Sequence, residues 1–281
     1  MKSSVSLRLL SLSLLAFALL LPACGRRTTG MSGEDGEEEL LWSEEFDGAS
    51  LDTAVWSKTP RGTSDWNNLM SDREELYELT GGTLRLKVVP NRGRDYQDTV
   101  PFLTGGVWTK HRLGFSKGRV EIRARFDEHQ GFWPALWLLS SAPNAWPMGG
   151  EIDMMEHLNR DTLFYSTIHT QYTLDGNEEP RKFATHSFKS GDFNVYSASF
   201  GSDSVTFAVN GEPFFAYHRL YPPVEHQFPF GDRPFYVILS AQMGGSWVGE
   251  PAPIAEPLIL EIDYVRYYRT REGGEVADLR N

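Results

Sequence analysis

Val120-Glu121-Ile122-Arg123-Ala124-Arg125-Phe126 alternates apolar and charged residues without a break. Successive side chains of a strand point to opposite faces, so this stretch has one apolar and one charged face only when extended. Similar short runs recur on both sides. The strands predicted are Leu84–Val89, Val107–Lys110, Gly118–Phe126, Ala135–Leu139, Glu151–Glu156, Tyr165–Gln171, Asn194–Phe200, Ser204–Val209, Phe235–Ala241 and Leu258–Tyr268. Gly, Pro, Asn and Asp separate them, and Val209-Asn210-Gly211-Glu212 carries the Asn-Gly signal of a tight hairpin. No long stretch has helical periodicity. Many short strands at this spacing predict an all-β, two-sheet sandwich.

The chain has 281 residues, enough for one large β domain with a sizeable core. Lys and Arg number 27 and Asp and Glu 38, a net charge of −11, which argues against a nucleic-acid partner needing a basic face. A single cysteine excludes a disulfide framework and a Cys-rich zinc site.

That cysteine, Cys24, closes a leader. Lys2 and Arg8 precede an apolar run from Leu9 to Leu21, too short to span a bilayer, which ends in Leu21-Pro22-Ala23-Cys24. Residues 1–23 are expected to be a signal peptide resembling that of a bacterial lipoprotein, with Cys24 as the lipidated first residue of the mature chain. Several acyl chains at about 0.8 kcal/mol per buried methylene would make a firm anchor. The expected location is therefore the bacterial outer membrane, at the cell surface or its periplasmic face. Residues 24–39 are acidic and Gly/Ser-containing and read as a flexible tether. A catalytic domain is expected over 40–270 and a loose tail over 271–281.

Chemistry concentrates in Trp146-Pro147-Met148-Gly149-Gly150-Glu151-Ile152-Asp153-Met154-Met155-Glu156-His157. Glu151 and Asp153 share one strand face; Glu156 would face away unless one extra residue intervenes, as in a β-bulge, for which Met154 and Met155 are the natural pair. Three carboxylates on one face repel each other, so a purely structural role is hard to justify. Paired carboxyl groups suit glycosidic bond cleavage, lying about 5–5.5 Å apart in retaining enzymes.

Glu151-Ile152-Asp153-Met154-Met155-Glu156 resembles the E-x-D-x-x-E signature of glycoside hydrolase family 16 in its bulged, laminarinase-like form. The resemblance runs from Leu41 to Tyr268. It includes Trp42-Ser43-Glu44-Glu45-Phe46-Asp47-Gly48 with Leu51-Asp52 and Trp56, then Gly131-Phe132-Trp133-Pro134-Ala135-Leu136-Trp137, Gly244-Gly245-Ser246-Trp247-Val248-Gly249 and Ile262-Asp263-Tyr264-Val265-Arg266. It implies a concanavalin A-like jelly roll with a concave cleft, and retention of configuration, with Glu151 as nucleophile, Glu156 as acid/base and Asp153 between them holding a charge or sharing a proton. It also implies an endo-acting enzyme on β-1,3- or mixed-linkage β-1,3/1,4-glucan. Asn67-Asn68-Leu69 departs from the Asn-Asn-Glu segment of laminarinases and leans toward the glucanases of gut Bacteroidota. An agarase-like galactanase and a non-catalytic glycan-binding lipoprotein are the alternatives. No basic cluster lies near the signature to hold sulfate.

If Arg160 and Asp161 centre the following hairpin, Tyr165 opposes Glu156, Thr167 opposes Asp153 and His169 opposes Glu151, provided the bulge is present. Gln171 would lie on the same face. Trp108, Trp133, Trp137, Trp146 and Trp247 are candidate sugar platforms, with Asn68 and Gln242 as polar candidates beside them. The resemblance also implies a structural calcium near Glu45, the backbone of Gly82 and Asp263, but no cofactor for catalysis. The expected partners are a polysaccharide and, through the anchor, a membrane; the chain is expected to be monomeric.

Overall fold

The computed structural model describes residues 38–92, 98–142, 146–231 and 233–280, all within the unit Asp35–Asn281. The predicted leader and Cys24 lie outside the described residues.

Two antiparallel sheets carry the fold. The first runs in the order Glu212–His218, Ser204–Val209, Asn194–Phe200, Arg119–Phe126, Leu258–Arg269, Thr83–Pro90, Tyr77–Thr80. Glu39–Glu44 adds to Leu258–Arg269, and Phe102–Thr104 to Thr83–Pro90. The second runs Phe183–Ser187, Leu163–His169, Glu151–His157, Phe132–Ser140, Phe235–Met243, Gly106–Trp108, Ser57–Lys58. Leu113–Ser116 joins it beside Phe235–Met243 and pairs with Glu275–Asp278.

The alternation over 120–126 is realised: Val120, Ile122, Ala124 and Phe126 are buried, and the charged residues between them are half-exposed. From the second sheet, Leu136, Leu138, Ile152, Val237 and Leu239 enter the same apolar cluster. Truncating such a buried side chain to Ala typically costs about 2–5 kcal/mol. Phe235–Met243 is buried along its whole length. Its other face carries a second, smaller cluster of Ala135, Trp137, Tyr236 and Ile238, with Trp66 and Trp108 packed against it. The second sheet is thus apolar on both sides of its middle, and its outer side bears the site.

All ten predicted strands exist, with ends shifted by a few residues. Two expectations about the strands and the tail fail. The tail is not loose, because Val276 pairs with Phe115 and packs on the core. Gln171 is not a strand residue: the strand stops at His169, and Thr170 caps the helix Gln171–Leu174 through its hydroxyl and the Thr173 N–H.

Candidate active site

Gly150 delivers the chain into the Glu151–His157 strand. Its φ is +86°, and a Cβ there would lie 2.7 Å from Phe230 Cε1 and 2.8 Å from Pro229 Cγ, so only glycine fits. From this start the strand pairs with both neighbours. Glu151 opposes His169, Asp153 opposes Thr167 and Glu156 opposes Tyr165, with a register shift between Asp153 and Glu156. On the other side Asp153 opposes Trp137 but Met155 opposes Leu136, which makes Met154 the extra residue. The bulge is therefore where the sequence placed it. Met154 and Met155 stay in the core, and Glu156 returns to the face of Glu151 and Asp153.

The three carboxyl groups line one pocket of about 480 Å³, with Trp66, Trp133, Trp137, Trp146, Tyr165, Thr167, His169, Phe183, Gln242 and Trp247 around them. Each acid has its own neighbour. The indole N–H of Trp146 donates to Glu151 Oε2 and that of Trp133 donates to Glu156 Oε1. His169 Nε2 lies 3.2 Å from Asp153 Oδ2, within ion-pair range but without the alignment of a hydrogen bond. Among the described residues no Lys or Arg lines the pocket.

This setting governs protonation. Burial raises the Glu151 carboxyl to about 8, the Asp153 charge adds to the rise, and His169 and the Trp146 N–H oppose it. Glu151 keeps part of its surface open to the cleft, yet the protein packed around it still makes its charge costly. Asp153 is also raised by burial, partly offset by its hydrogen bond with Glu151. Glu156 is held well above its ordinary value, first by burial and then by the charges of Asp153 and Glu151. All three carboxyl groups are thus held above their ordinary range, and their closeness in one pocket links their titrations.

Of the expected platforms, Trp133, Trp137, Trp146 and Trp247 all line the pocket. Trp146 and Trp247 are exposed at its edge, whereas Trp137 is buried, donates to Ser240 Oγ at 3.1 Å and meets Trp66 edge-on. Trp133 and Trp247 meet edge-on with centroids 5.4 Å apart. Gln242 donates to Ser240 Oγ and leaves Oε1 buried without a partner among the described residues. Trp108 lies outside this pocket, in an adjoining groove. Asn68 does not line the pocket: its backbone is taken up in the turn with Ser64, and Trp66 takes the place expected for it. Gln171 is turned to Asp175, at 2.7 Å, instead of the cleft. Sequence reading missed Trp66 and Phe183, one in a loop and the other on an outer strand.

The calcium expectation does not fit the side chains. Arg266 binds both oxygens of Glu45 at 2.8 Å, and Arg123 donates to Asp263. Among the described residues no group of three or more His, Cys, Asp or Glu side chains is placed to hold a metal.

Comparison with known proteins accords with this geometry. A keratan-sulfate endo-1,4-β-galactosidase of Sphingobacterium multivorum is 32% identical over 235 residues, covering 82% of this chain and 55% of that protein. A β-glucanase of Rhodothermus marinus is 31% identical over 277 residues, covering 90% of this chain and 93% of its own length. This chain thus spans about half of the first relative and nearly all of the second. The solved laminarinase of Rhodothermus marinus superposes with a TM-score of 0.73 at 29% identity, covering 84% of this chain and 99% of that one. It shares the two-sheet jelly roll. The model of the glycosyl hydrolases family 16 matches residues 64–266, most of the chain, and the protein belongs to that family.

Proposed function

We propose that the protein is a retaining, endo-acting β-glucan hydrolase that cleaves β-1,3 or mixed-linkage β-1,3/1,4-glucan by double displacement. The observation that carries this reading is the bulge at Met154, which returns Glu156 to the pocket holding Glu151 and Asp153. Glu156, whose burial and acidic neighbours favour its protonated form, protonates the leaving glycosidic oxygen. Glu151 attacks the anomeric carbon and becomes its ester. To do so it must be ionised, so in the reactive form the shared proton sits on Asp153, hydrogen-bonded to Glu151, while the Trp146 N–H steadies the carboxylate. Glu156, now ionised, takes a proton from water, which attacks the anomeric carbon and frees Glu151. Retention is general for the family. The glucanase relatives support the glucan assignment.

The test is reducing-sugar release from laminarin, barley β-glucan, agarose and keratan sulfate, run beside Glu151→Gln. Release from either glucan that Glu151→Gln abolishes supports the proposal, and binding of glycan without turnover by the unmutated protein refutes it. A second reading, an endo-β-galactosidase, rests on the 32% identity to the keratan-sulfate enzyme; turnover of keratan sulfate alone favours it.

We also propose that Cys24 is lipidated and holds the enzyme at the bacterial outer membrane, the acidic stretch before Glu39 giving it reach. Detergent-phase partitioning of the expressed protein, lost in Cys24→Ala, is the expected result.

A further inference from the structure

Beside the pocket lies a second groove of about 720 Å³, and Trp66 and Trp146 line both. It opens at the Glu151 end of the cleft, next to Gly149 and Gly150. Its chemistry differs from that of the pocket. Lys110 Nζ lies 4.8 Å from the Trp108 ring centroid and 5.8 Å from that of Tyr236, so the ammonium covers an indole that would otherwise offer its face to a sugar. His111 lines the groove beside it, exposed and held in the left-handed region at φ +59°. The acid that shares this lining, Asp278, is already neutralised by Arg280, at 2.8 and 2.6 Å. Among the described residues Lys110 has no carboxylate within ion-pair distance. Contact with the two rings holds the Lys110 ammonium in place but does not neutralise it, so in a protein of net charge −11 its charge stays open to an anionic group in the groove.

We infer that this groove is a distal subsite for a saccharide unit bearing an anionic substituent, a sulfate ester or a carboxylate, which Lys110 binds through its ammonium. The aromatic walls of Trp66 and Tyr236 would hold the apolar surface of the sugar, and the ammonium would select the charge. The fold assembles this site from places far apart in sequence: Lys110 follows the Gly106–Trp108 strand, whereas Gly149 and Gly150 introduce Glu151.

The inference rests on the cleft being a β-glycan site, but its readout is binding, so it stands apart from whether laminarin is cleaved. Full-length Glu151→Gln protein, which cannot turn substrate over, is titrated with β-1,3-gluco-oligosaccharides of one length in neutral, carboxymethylated and sulfated form, following tryptophan fluorescence. The expected result is roughly two- to five-fold tighter binding of at least one anionic form at low salt, with the ratio falling to near one in about 0.5 M NaCl. Which anionic form gains identifies the substituent. Adding Lys110→Gln should bring the ratio to near one at low salt, and Lys110→Arg should keep it. Equal affinity for all three forms, or a ratio unchanged by Lys110→Gln, overturns the inference.

Discussion

The two sheets each carry acids on an outer face, and they treat them in opposite ways. On the first sheet every carboxylate of the central strands meets a cation. Arg123 holds Asp263, Arg119 holds Glu121, and Glu261 lies between Arg85 at 3.2 Å and Arg125 at 2.8 Å. Burial alone would raise Glu261, but hydrogen bonds from Arg125 and Thr83 overcome it and keep that carboxyl below its usual range. On the second sheet Glu151, Asp153 and Glu156 have two indole N–H groups and one histidine, and their carboxyl groups are all pushed up. A fold that pairs its acids with arginines on one sheet leaves three of them, among the described residues, without a Lys or Arg partner on the other. Titratable groups held at such a disadvantage in a cleft mark chemistry, whereas the paired ladder is structural.

The largest expected effect follows from that difference. Glu151→Ala and Glu156→Ala should each lower kcat on an active glucan by at least about 10⁴-fold. Azide should restore turnover of an activated aryl glycoside in both, giving the inverted glycosyl azide with Glu151→Ala and the retained one with Glu156→Ala. Product analysis by NMR checks the two roles, and the opposite stereochemistry would exchange them. On the paired sheet, Glu261→Ala should leave kcat within about two-fold, as measured on the same glycoside, because it faces no substrate.

Asp153→Asn should cost roughly 100-fold in kcat and reshape the pH profile. Burial raises Glu156 most, and the Asp153 charge comes next. At alkaline pH that charge helps Glu156 keep its proton, so removing it moves the basic limb of kcat/KM to lower pH. Asp263→Asn, on the paired face, should leave both limbs in place.

How far this contrast was legible in the sequence depends on the pattern each region needs. The alternation of Val120–Phe126 shows a two-faced strand directly, and the i, i+2 spacing with one bulge residue placed Glu151, Asp153, Glu156, Tyr165, Thr167 and His169 in their observed register. Local pattern reaches no further. Phe102–Thr104 and Leu113–Ser116 are too short to show a period, and Glu275–Asp278 becomes a strand only because Leu113–Ser116 offers it an edge. Trp66 enters the pocket and Asn68 does not because a turn through Ser64 sets their directions, which no strand spacing encodes. Lys110 reads as the end of a strand, and its place beside the acid-lined cleft arises from sheet order alone.

Stability should respond to pH in opposite senses on the two faces. The folded Glu151 carboxyl is raised to about 8 from an ordinary 4.5, so the folded state binds its proton more tightly than the unfolded chain does. Its cost is absent below the ordinary carboxylate range and grows as pH rises toward 8. Glu151→Gln should therefore raise Tm, by little at pH 5 and by a few degrees at pH 8, at roughly 2–4 °C per kcal/mol for a domain of this size. Glu261 is lowered in the fold, so its contribution is present above the ordinary carboxylate range and fades as pH falls through its folded value. Glu261→Gln should lower Tm near neutral pH and lose that effect in acid. Calorimetry across pH 3–8 checks both, and parallel slopes for the two variants would remove the distinction between the faces.

The smallest expected effect concerns the site where family resemblance implied calcium. Glu45 and Asp263 already face Arg266 and Arg123, and the Arg266 guanidinium also lies 3.8 Å from the Tyr264 ring centroid. A divalent cation entering there would have to displace two guanidinium groups or sit beside them, and like-charge repulsion opposes either course. Chelation with EDTA should leave Tm unchanged to within about 1 °C, whereas Arg266→Ala should lower it by an amount equivalent to about 0.2–1 kcal/mol, the range for a partly exposed ion pair. A drop of several degrees on chelation, reversed by added calcium, would show that this corner of the paired sheet is held by metal and not by arginine.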